Sequence, residues 1–216
     1  MTDYDRLYRE TAEYFGTEPS PLLKQFKDHI PPDSPVLEIG VGQGRNALPL
    51  ARRGLAVTGI DISSVAIDTV GAIARQEKLP LELWHGNFID FEPRPGKFGT
   101  ILALGLLQTC LRREGAALLF RLREWTRPGG VIFLSAWHVD DPSYGPVSET
   151  WARVGLHSFQ KETGEIRTYL ARGEIRDLMI GWGVLHCWEG MTEEHCHGDG
   201  PLEQHGAVEL VAVRTA

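Results

Sequence analysis

Apolar residues follow two different spacings from residue 36 onward. Short apolar runs predict five strands, at Val36–Ile39, Ala56–Ile60, Leu81–Trp84, Thr100–Leu104 and Val131–Ala136. Between these runs, apolar residues recur at helical spacing and predict helices near Asn46–Arg53, Val65–Gln76 and Gly115–Trp125. Strands that alternate with amphipathic helices are typical of a parallel sheet with helices on both faces.

The first thirty residues predict helices that pack over the rest of the chain. One predicted helical face carries Tyr4, Leu7, Tyr8 and Thr11. A second helix begins after Ser20, a capping residue, with Pro21 in its first turn.

The last third of the chain follows a looser pattern. Arg127–Gly130, with the sequence RPGG, predicts a turn into the fifth strand, and Asp140–Tyr169 predicts an irregular stretch. A helix near Gly173–Ile180 precedes strands at Val184–Glu189 and Ala207–Val213. Because no helix separates the last two strands, we expect them to pair as an antiparallel hairpin at the end of the sheet.

These elements together predict an α/β fold. We expect a Rossmann-like, seven-stranded, mostly parallel sheet with helices on both faces, an antiparallel last strand and an N-terminal helical lid. A chain of 216 residues is long enough for one good core. We therefore expect a single domain over residues 1–216, with the lid at 1–31 and the core at 32–216.

Composition narrows the class of partner. The net charge of -7 argues against nucleic acid, whose phosphates need clustered Lys and Arg. The N-terminus lacks a signal peptide's apolar core, and no apolar run is long enough for a membrane span, so we expect a cytoplasmic protein. Cys110, Cys187 and Cys196 form no disulfide framework. The oligomeric state stays open.

The stretch VLEIGVGQGRN carries the most informative motif. Three glycines at alternate positions follow the first strand, with Glu38 two residues upstream of Gly40. A dinucleotide fingerprint requires glycine at position 45, where the chain has Arg45. The second predicted strand is followed by Asp61, which can accept hydrogen bonds from ribose hydroxyls. These features indicate a nucleoside-containing cofactor.

The E-x-G-x-G-x-G sequence resembles the first motif of class I S-adenosylmethionine-dependent methyltransferases. The resemblance implies S-adenosylmethionine as cofactor, and it implies that Asn87, after the third strand, contacts the adenine amine. The cofactor-binding residues that it nominates are Glu38, Gly40, Gly42, Gly44, Asn46, Asp61, Ile62, Asn87, Phe88 and Leu104.

Three segments are similar to the tellurite-resistance and thiopurine-type branch of small methyltransferases: YFGTEPSPLL, GQGRNALPLARRGLAVTGIDIS and HCHGDGPLEQH. That resemblance implies a small methyl acceptor with a soft heteroatom, such as a chalcogen oxyanion or a thiol, and nominates Tyr8, Tyr14 and Phe15 as lid residues. The substrate-side candidates are Tyr8, Tyr14, Arg45, Trp137, His138 and His197.

Histidine and cysteine are concentrated near the C-terminus. Strand alternation places His195 and His197 on one side and Cys196 on the other, so we expect no compact tetrahedral metal site. The alternatives are a polar hairpin loop or a substrate contact through one histidine. The residues concerned are His186, Cys187, His195, Cys196, His197 and His205.

The expected mechanism is methyl transfer by positioning, without an obligatory general base. His138 and His197 are the candidate bases, and neither has a carboxylate at an obvious orienting spacing. Three alternatives stay open: O- or N-methylation of a small metabolite, a nicotinamide-dependent oxidoreductase, and a non-catalytic protein that binds S-adenosylmethionine or a metal.

Overall fold

A mixed seven-stranded sheet lies at the centre of the protein, as a computed structural model shows. The structure describes residues 3–198 and 200–215; Met1, Thr2, Asp199 and Ala216, which the predicted domain 1–216 includes, lie outside the described residues. The strands are β1 (Val36–Ile39), β2 (Val57–Asp61), β3 (Leu81–His85), β4 (Phe98–Leu104), β5 (Thr126–Trp137), β6 (Ala152–Gly155), β7 (Ser158–Gln160), β8 (Ile166–Thr168), β9 (Trp182–Met191) and β10 (Gly206–Arg214).

The central sheet has the order β3-β2-β1-β4-β5-β10-β9. Strands β1 to β5 pair in parallel, whereas β10 is antiparallel to both of its neighbours. Strands β9 and β10 form the expected hairpin at the edge of the sheet, because no helix separates them. The predicted fold class, with its reversed last strand, is confirmed.

Helices cover both faces of the sheet. They are α1 (Asp3–Glu10), α2 (Pro21–Phe26), α3 (Ala47–Arg52), α4 (Ser64–Glu77), α5 (Arg112–Trp125), α6 (Tyr144–Thr150) and α7 (Glu174–Leu178), with 3-10 helices at Lys27–His29, Phe88–Asp90 and Leu107–Thr109. Ser20 Oγ accepts a hydrogen bond from Leu23 N, which caps α2 as its sequence predicts. In the described part of the chain, no helix is long and apolar enough to cross a bilayer.

Alternate residues of β1 face two separate hydrophobic clusters. Val36 packs in a cluster with Leu22 and Leu23 of α2, on one face of the sheet. Leu37 and Ile39 pack in the other cluster, which contains Leu118, Leu122 and Trp125 of α5. Because every residue of β1 is buried, the strand is anchored on both sides. The loop that follows it therefore begins from a rigid base.

The prediction of an irregular stretch at Asp140–Tyr169 is wrong. The segment contains α6 and a three-stranded antiparallel sheet of order β6-β7-β8. These strands have only three or four residues, and their burial does not alternate. The period-2 pattern that identifies a half-buried strand is therefore missing from the sequence.

The boundary predicted by the RPGG turn is also wrong, because β5 already begins at Thr126. Phe98 pairs with Thr126 and Thr100 pairs with Val131, so residues 127–130 bulge opposite Gly99. A Cβ atom on Gly99 would lie 1.5 Å from Ser34 Oγ. Close packing therefore requires glycine at the start of β4.

Candidate active site

A cavity of about 560 Å³ opens at the carboxyl ends of β1, β2, β4 and β5, beneath the N-terminal segment. In open α/β sheets this edge is where ligands bind, because the loops there leave the sheet on opposite sides. The cavity has two ends. The loop after β1 and the end of β2 line one end, which we call the cofactor end. The N-terminal segment, Arg45 at the end of the loop, the end of β5, β8 and the β9–β10 hairpin line the other, the acceptor end.

The glycine loop adopts a backbone that favours glycine at three positions. Gly40, Gly42 and Gly44 have φ values of 80°, 51° and 85°. A Cβ atom on Gly42 would lie 3.2 Å from Tyr8 Oη, so the loop passes close beneath the N-terminal segment. At Gly44 a Cβ atom would lie 2.8 Å from Leu48 Cδ1. The third glycine therefore permits packing of α3 and does not line the cavity.

Asp61 ties the end of β2 to the glycine loop. Its Oδ2 accepts a hydrogen bond from Gly42 N at 2.8 Å, and its Oδ1 accepts one from Ser63 N at 2.8 Å. Burial raises the pKa of this carboxyl, although both backbone hydrogen bonds oppose the rise. Each carboxylate oxygen can accept one more hydrogen bond. The two oxygens can therefore accept hydrogen bonds from the two hydroxyl groups of a ribose.

Glu38 is a buried carboxylate at the base of the loop. Its Oε1 accepts a hydrogen bond from Asn46 Nδ2 at 2.8 Å, and Asn46 Oδ1 accepts one from Ser20 N at 2.8 Å. Its Oε2 has no hydrogen-bond partner among the described residues. Burial raises the pKa of Glu38 to about 7. A buried carboxylate with an unused oxygen beside a cavity is suited to a cationic group.

The N-terminal segment is fixed over the loop by hydrogen bonds from Gln43. Gln43 Oε1 accepts a hydrogen bond from Tyr14 N at 2.7 Å, while Gln43 Nε2 donates one to Thr11 O at 2.9 Å. Arg45 Nε donates to Glu18 O at 3.1 Å. Tyr8, Tyr14 and Phe15, the residues predicted to form the lid, line the cavity.

Aromatic rings and two arginines form the acceptor end. The ring of Trp137 stacks on His205 with centroids 4.6 Å apart, and the Arg167 guanidinium lies 5.1 Å from the Trp137 ring centroid. Tyr14 stacks on His197 at 5.4 Å. The walls of this end therefore combine aromatic rings with charges of both signs: Arg45 and Arg167, the latter paired with Glu165, and the carboxylates of Glu203 and Glu209.

Three histidines converge at the acceptor end. One ring nitrogen from each of His195, His197 and His205 lies within 4.8 Å of the others. His195 and His197 share a side and Cys196 is exposed, as strand alternation predicts. The expectation of no compact tetrahedral metal site rested on alternation along one arm of the hairpin; His205, also among the residues considered, reaches the same place from the opposite arm.

A carboxylate orients one of these histidines. Asp141 Oδ2 lies 3.1 Å from His205 Nδ1. Burial alone raises the pKa of Asp141, but hydrogen bonds from His205 and Ser143 outweigh it and lower that pKa. The candidate bases from the sequence were His138 and His197, whereas the histidine that a carboxylate orients in the cavity is His205; its partner Asp141 is 64 positions away, so no local spacing reveals the pair.

Most of the nominated residues line the cavity. Of the cofactor candidates these are Glu38, Gly40, Gly42, Asn46, Asp61, Ile62, Phe88 and Leu104, and of the substrate candidates Tyr8, Tyr14, Arg45, Trp137 and His197.

Gly44, Asn87 and His138 do not line it. Asn87 is exposed, and its Oδ1 accepts a hydrogen bond from Ile89 N at 3.1 Å, which caps the 3-10 helix. His138 is buried with both ring nitrogens engaged, since Nδ1 accepts from Asp140 N at 3.0 Å and Nε2 contacts Gly190 O at 3.3 Å. Neither side chain is placed for the ligand contact predicted from the sequence.

Several cavity residues were missed. Arg167 lies on β8, in the stretch predicted to be irregular, and the sequence contains no signal for it. Gln43 sits inside the glycine motif, but its role depends on contacts with residues 11 and 14, which only the fold reveals. His195 and His205 were nominated only as members of the late histidine group; pairing the hairpin arms residue by residue is the signal that would have united them.

Comparison with known sequences agrees with this geometry. The family model described as "Methyltransferase domain" matches residues 36–130, which include the glycine loop and Asp61. The chain is 29% identical over 153 residues to a ubiquinone biosynthesis O-methyltransferase from Pseudomonas aeruginosa, with 65% of this chain and 60% of that protein covered. The chain thus spans less than two thirds of the length of this curated relative.

Solved structures share the fold over nearly the whole chain. TehB from Haemophilus influenzae is 20% identical, with a TM-score of 0.69 over 90% of this chain and 61% of that chain. A structure described as "Conversion of a Disulfide Bond into a Thioacetal Group during Echinomycin Biosynthesis" is 22% identical, with a TM-score of 0.69 over 98% of this chain and 90% of that one. Residues 36–130 thus match a methyltransferase domain, and the strand order and these solved structures show a Rossmann-like methyltransferase fold.

Proposed function

We propose that this chain transfers the methyl group of S-adenosylmethionine to a small molecule that attacks through a soft heteroatom, a thiol or a chalcogen oxyanion. One observation carries the proposal. A single cavity of about 560 Å³ joins the glycine loop and Asp61 at one end to aromatic and basic side chains at the other. That volume lies within the range of pockets that enclose small ligands.

The cofactor end provides the groups that a nucleoside sulfonium needs. The Asp61 carboxylate would accept hydrogen bonds from the ribose hydroxyls, and Gly40 and Gly42 allow the ligand to approach the backbone closely. The unpartnered Oε2 of Glu38 would accept from the cationic ammonium group. These roles account for why two carboxylates are buried beside one loop.

The acceptor end has the features expected for positioning. S-adenosylmethionine, when bound, supplies a methyl group already activated by its sulfonium. The residues of the chain then have to align the acceptor and exclude water. Alignment alone lowers a bimolecular barrier by about 7 to 11 kcal/mol. Tyr14 and Trp137 provide apolar walls, and the guanidinium groups of Arg45 and of Arg167, which is paired with Glu165, could donate hydrogen bonds to an anionic acceptor. A thiolate or oxyanion already has a free lone pair and needs no base.

Sulfur chemistry in a structural neighbour supports a soft acceptor. The neighbour described by the conversion of a disulfide bond into a thioacetal group acts on sulfur and aligns with 98% of this chain. At 22% identity that likeness shows the fold, so it supports the acceptor class only together with the charge and the apolar walls of this cavity.

A second candidate is O-methylation. Several of the curated relatives are ubiquinone biosynthesis O-methyltransferases, and a hydroxyl acceptor needs a general base. The Asp141–His205 pair has the arrangement of an oriented base. However, His205 Nε2 is buried and lies among the other histidines. Crowding by the two other imidazoles therefore disfavours proton transfer from a substrate hydroxyl to this nitrogen, which favours the soft acceptor.

The test is release of S-adenosylhomocysteine with a panel of acceptors: tellurite, selenite, small thiols, phenols and amines. We expect turnover with thiols or chalcogen oxyanions that exceeds turnover with phenols by at least 100-fold in kcat/KM. Preferred turnover of phenols would establish the second candidate instead. Tight binding of S-adenosylhomocysteine without turnover of any acceptor would indicate a non-catalytic binding protein.

A further inference from the structure

We propose that His195, His197 and His205 bind a divalent transition-metal ion such as Zn²⁺ at the acceptor end of the cavity. This site goes beyond methyl transfer, and its existence does not depend on the proposed function. The three rings have centroid separations of 4.9, 5.3 and 6.0 Å, and one nitrogen of each lies within 4.8 Å of the others. Small side-chain adjustments therefore suffice to bring three nitrogens to about 2.0–2.1 Å from one ion.

The backbone holds the three residues in place. His195 and Glu203 exchange two backbone hydrogen bonds, of 3.0 and 2.8 Å, across the arms of the hairpin. Thr192 N donates to His205 O at 2.8 Å, and His205 N donates to Thr192 Oγ1 at 2.9 Å. Hydrogen bonds therefore join the two arms of the hairpin both at His195 and at His205. Since His197 is two positions from His195, its side chain projects to the same side.

In His205 and His195, a hydrogen bond engages the Nδ1 atom of the ring and leaves the Nε2 atom free to bind a metal. Asp141 Oδ2 accepts from His205 Nδ1 at 3.1 Å, which leaves the lone pair on Nε2. His205 Nε2 is buried and has no hydrogen-bond partner among the described residues. His195 Nδ1 lies 2.9 Å from Glu193 O, which likewise leaves its Nε2 free. Carboxylate or carbonyl acceptors behind metal-bound histidines are the usual outer shell of such sites.

The donor set selects the class of metal. Three imidazoles suit Zn²⁺, Co²⁺, Ni²⁺ or Cu²⁺, whereas Mg²⁺ and Ca²⁺ prefer oxygen ligands. Three protein ligands leave a fourth tetrahedral position, as catalytic zinc sites do. All three histidines line the cavity, so that position faces it. Glu203 Oε2 lies 3.7 Å from His205 Nε2 and can balance the charge of the ion.

An ion at this position would bind a thiol acceptor. This part of the proposal rests on the proposed function. A thiol that binds the ion loses its proton to solvent and is held as a thiolate. A sulfur lone pair then forms the bond to the methyl carbon, while the sulfonium carbon–sulfur bond breaks and leaves its electron pair on S-adenosylhomocysteine. The thioether product is a weaker ligand than the thiolate and leaves.

Metal titration tests the site without any turnover. The protein is stripped with a chelator and titrated with Zn²⁺ by calorimetry, and with Co²⁺ by visible absorption, for the wild type, His195→Ala, His205→Ala and His29→Ala. The last variant removes an exposed histidine elsewhere and is the matched control.

We expect one equivalent of metal to bind to the wild type and to His29→Ala, and at least 100-fold weaker binding to His195→Ala and His205→Ala. Binding of S-adenosylhomocysteine by each variant verifies its fold. Absence of stoichiometric binding, or equal binding by all four proteins, overturns the proposal.

Two further measurements separate the parts of the proposal. Asp141→Asn should weaken Zn²⁺ binding 10- to 100-fold, because the outer-shell carboxylate is lost; unchanged affinity in the folded variant contradicts the assigned orientation of His205. Addition of 2-mercaptoethanol to the Co²⁺-loaded protein should produce a sulfur-to-cobalt charge-transfer band. A spectrum that does not change refutes the open coordination position. Because none of these readouts involves methyl transfer, their failure is distinguishable from failure of the proposed function.

Discussion

The two ends of the cavity are built in opposite ways. The cofactor end comes from one continuous stretch, in which β1, the glycine loop, α3 and β2 bring Glu38 and Asp61 together. The acceptor end brings together residues from the N-terminal segment, the end of β5, β8 and the hairpin loop after β9. The first uses backbone conformation and buried carboxylates, and the second uses aromatic, arginine and histidine side chains. Under the proposed function, local structure would hold the cofactor and long-range assembly would select the acceptor.

Gly44→Ala tests whether the third glycine serves packing more than binding. The new Cβ would lie 2.8 Å from Leu48 Cδ1, at a residue whose φ is 85°. The left-handed backbone costs about 1–2 kcal/mol and overpacking about 1–3 kcal/mol. We expect the free energy of unfolding to fall by roughly 2–4 kcal/mol in denaturant titrations. Cofactor affinity of the remaining folded protein should change less than threefold; a loss above tenfold would mean that Gly44 belongs to the binding surface.

Asp61→Ala removes the carboxylate that joins β2 to the loop. Losing a charged acceptor costs about 1.5–3 kcal/mol, which corresponds to one to two decades in affinity. We expect calorimetry with S-adenosylhomocysteine to show that loss. Asp90→Ala, at an exposed position outside the cavity, is the matched control and should bind normally. Wild-type affinity in folded Asp61→Ala would refute the cofactor end as described.

The charge of Glu38 should make cofactor binding depend on pH. Burial raises its pKa to about 7 in the unligated protein, whereas a cationic ligand favours the ionised form. We therefore expect affinity for S-adenosylhomocysteine to rise as pH increases toward 7 and to level off above it. The change is at most tenfold per pH unit. Glu38→Gln should bind more weakly and lose this dependence. A wild-type affinity that does not vary between pH 5.5 and 8.5 would contradict the assignment.

The raised pKa of Glu38 also makes the stability of the fold depend on pH, but stability falls as pH rises whereas cofactor affinity increases. The folded state holds the Glu38 proton more tightly than the unfolded state, whose carboxyl titrates near 4.5. The stability that this proton confers is fully present below about pH 4.5 and is lost as pH rises through about 7. In Glu38→Gln this contribution to the pH dependence of unfolding should disappear.

Asn87→Ala gives the smallest expected effect and separates a cap from an adenine contact. The side chain accepts from Ile89 N, so removing it should cost about 0.5–1 kcal/mol of stability. Affinity for S-adenosylhomocysteine should stay within twofold of wild type. A loss of tenfold or more would restore the adenine contact that the resemblance implies.

The key residues of the cofactor end could be predicted from the sequence, whereas several residues of the acceptor end could not. The glycine loop and Asp61 were identified because strand, turn and helix signals lie within thirty residues of one another. Asn87 follows the third strand as expected, yet its side chain caps the local helix; position alone does not reveal where an amide points. The Asp141–His205 pair and Arg167 were missed because they depend on hairpin pairing and on very short strands. Local periodicity contains neither kind of information.

We propose above that the acceptor end of the cavity selects a soft heteroatom over a hydroxyl oxygen. A single acceptor that carries both a thiol and a phenol, 4-mercaptophenol, tests it most directly. The protein is supplied with S-adenosylmethionine bearing a deuterated methyl group, and the product is analysed by mass spectrometry with fragmentation. The account predicts the deuterated methyl on sulfur in at least 99% of the product, about a 100-fold preference, which corresponds to about 2.7 kcal/mol. Methylation mainly on oxygen would contradict it and would assign the cavity to O-methylation.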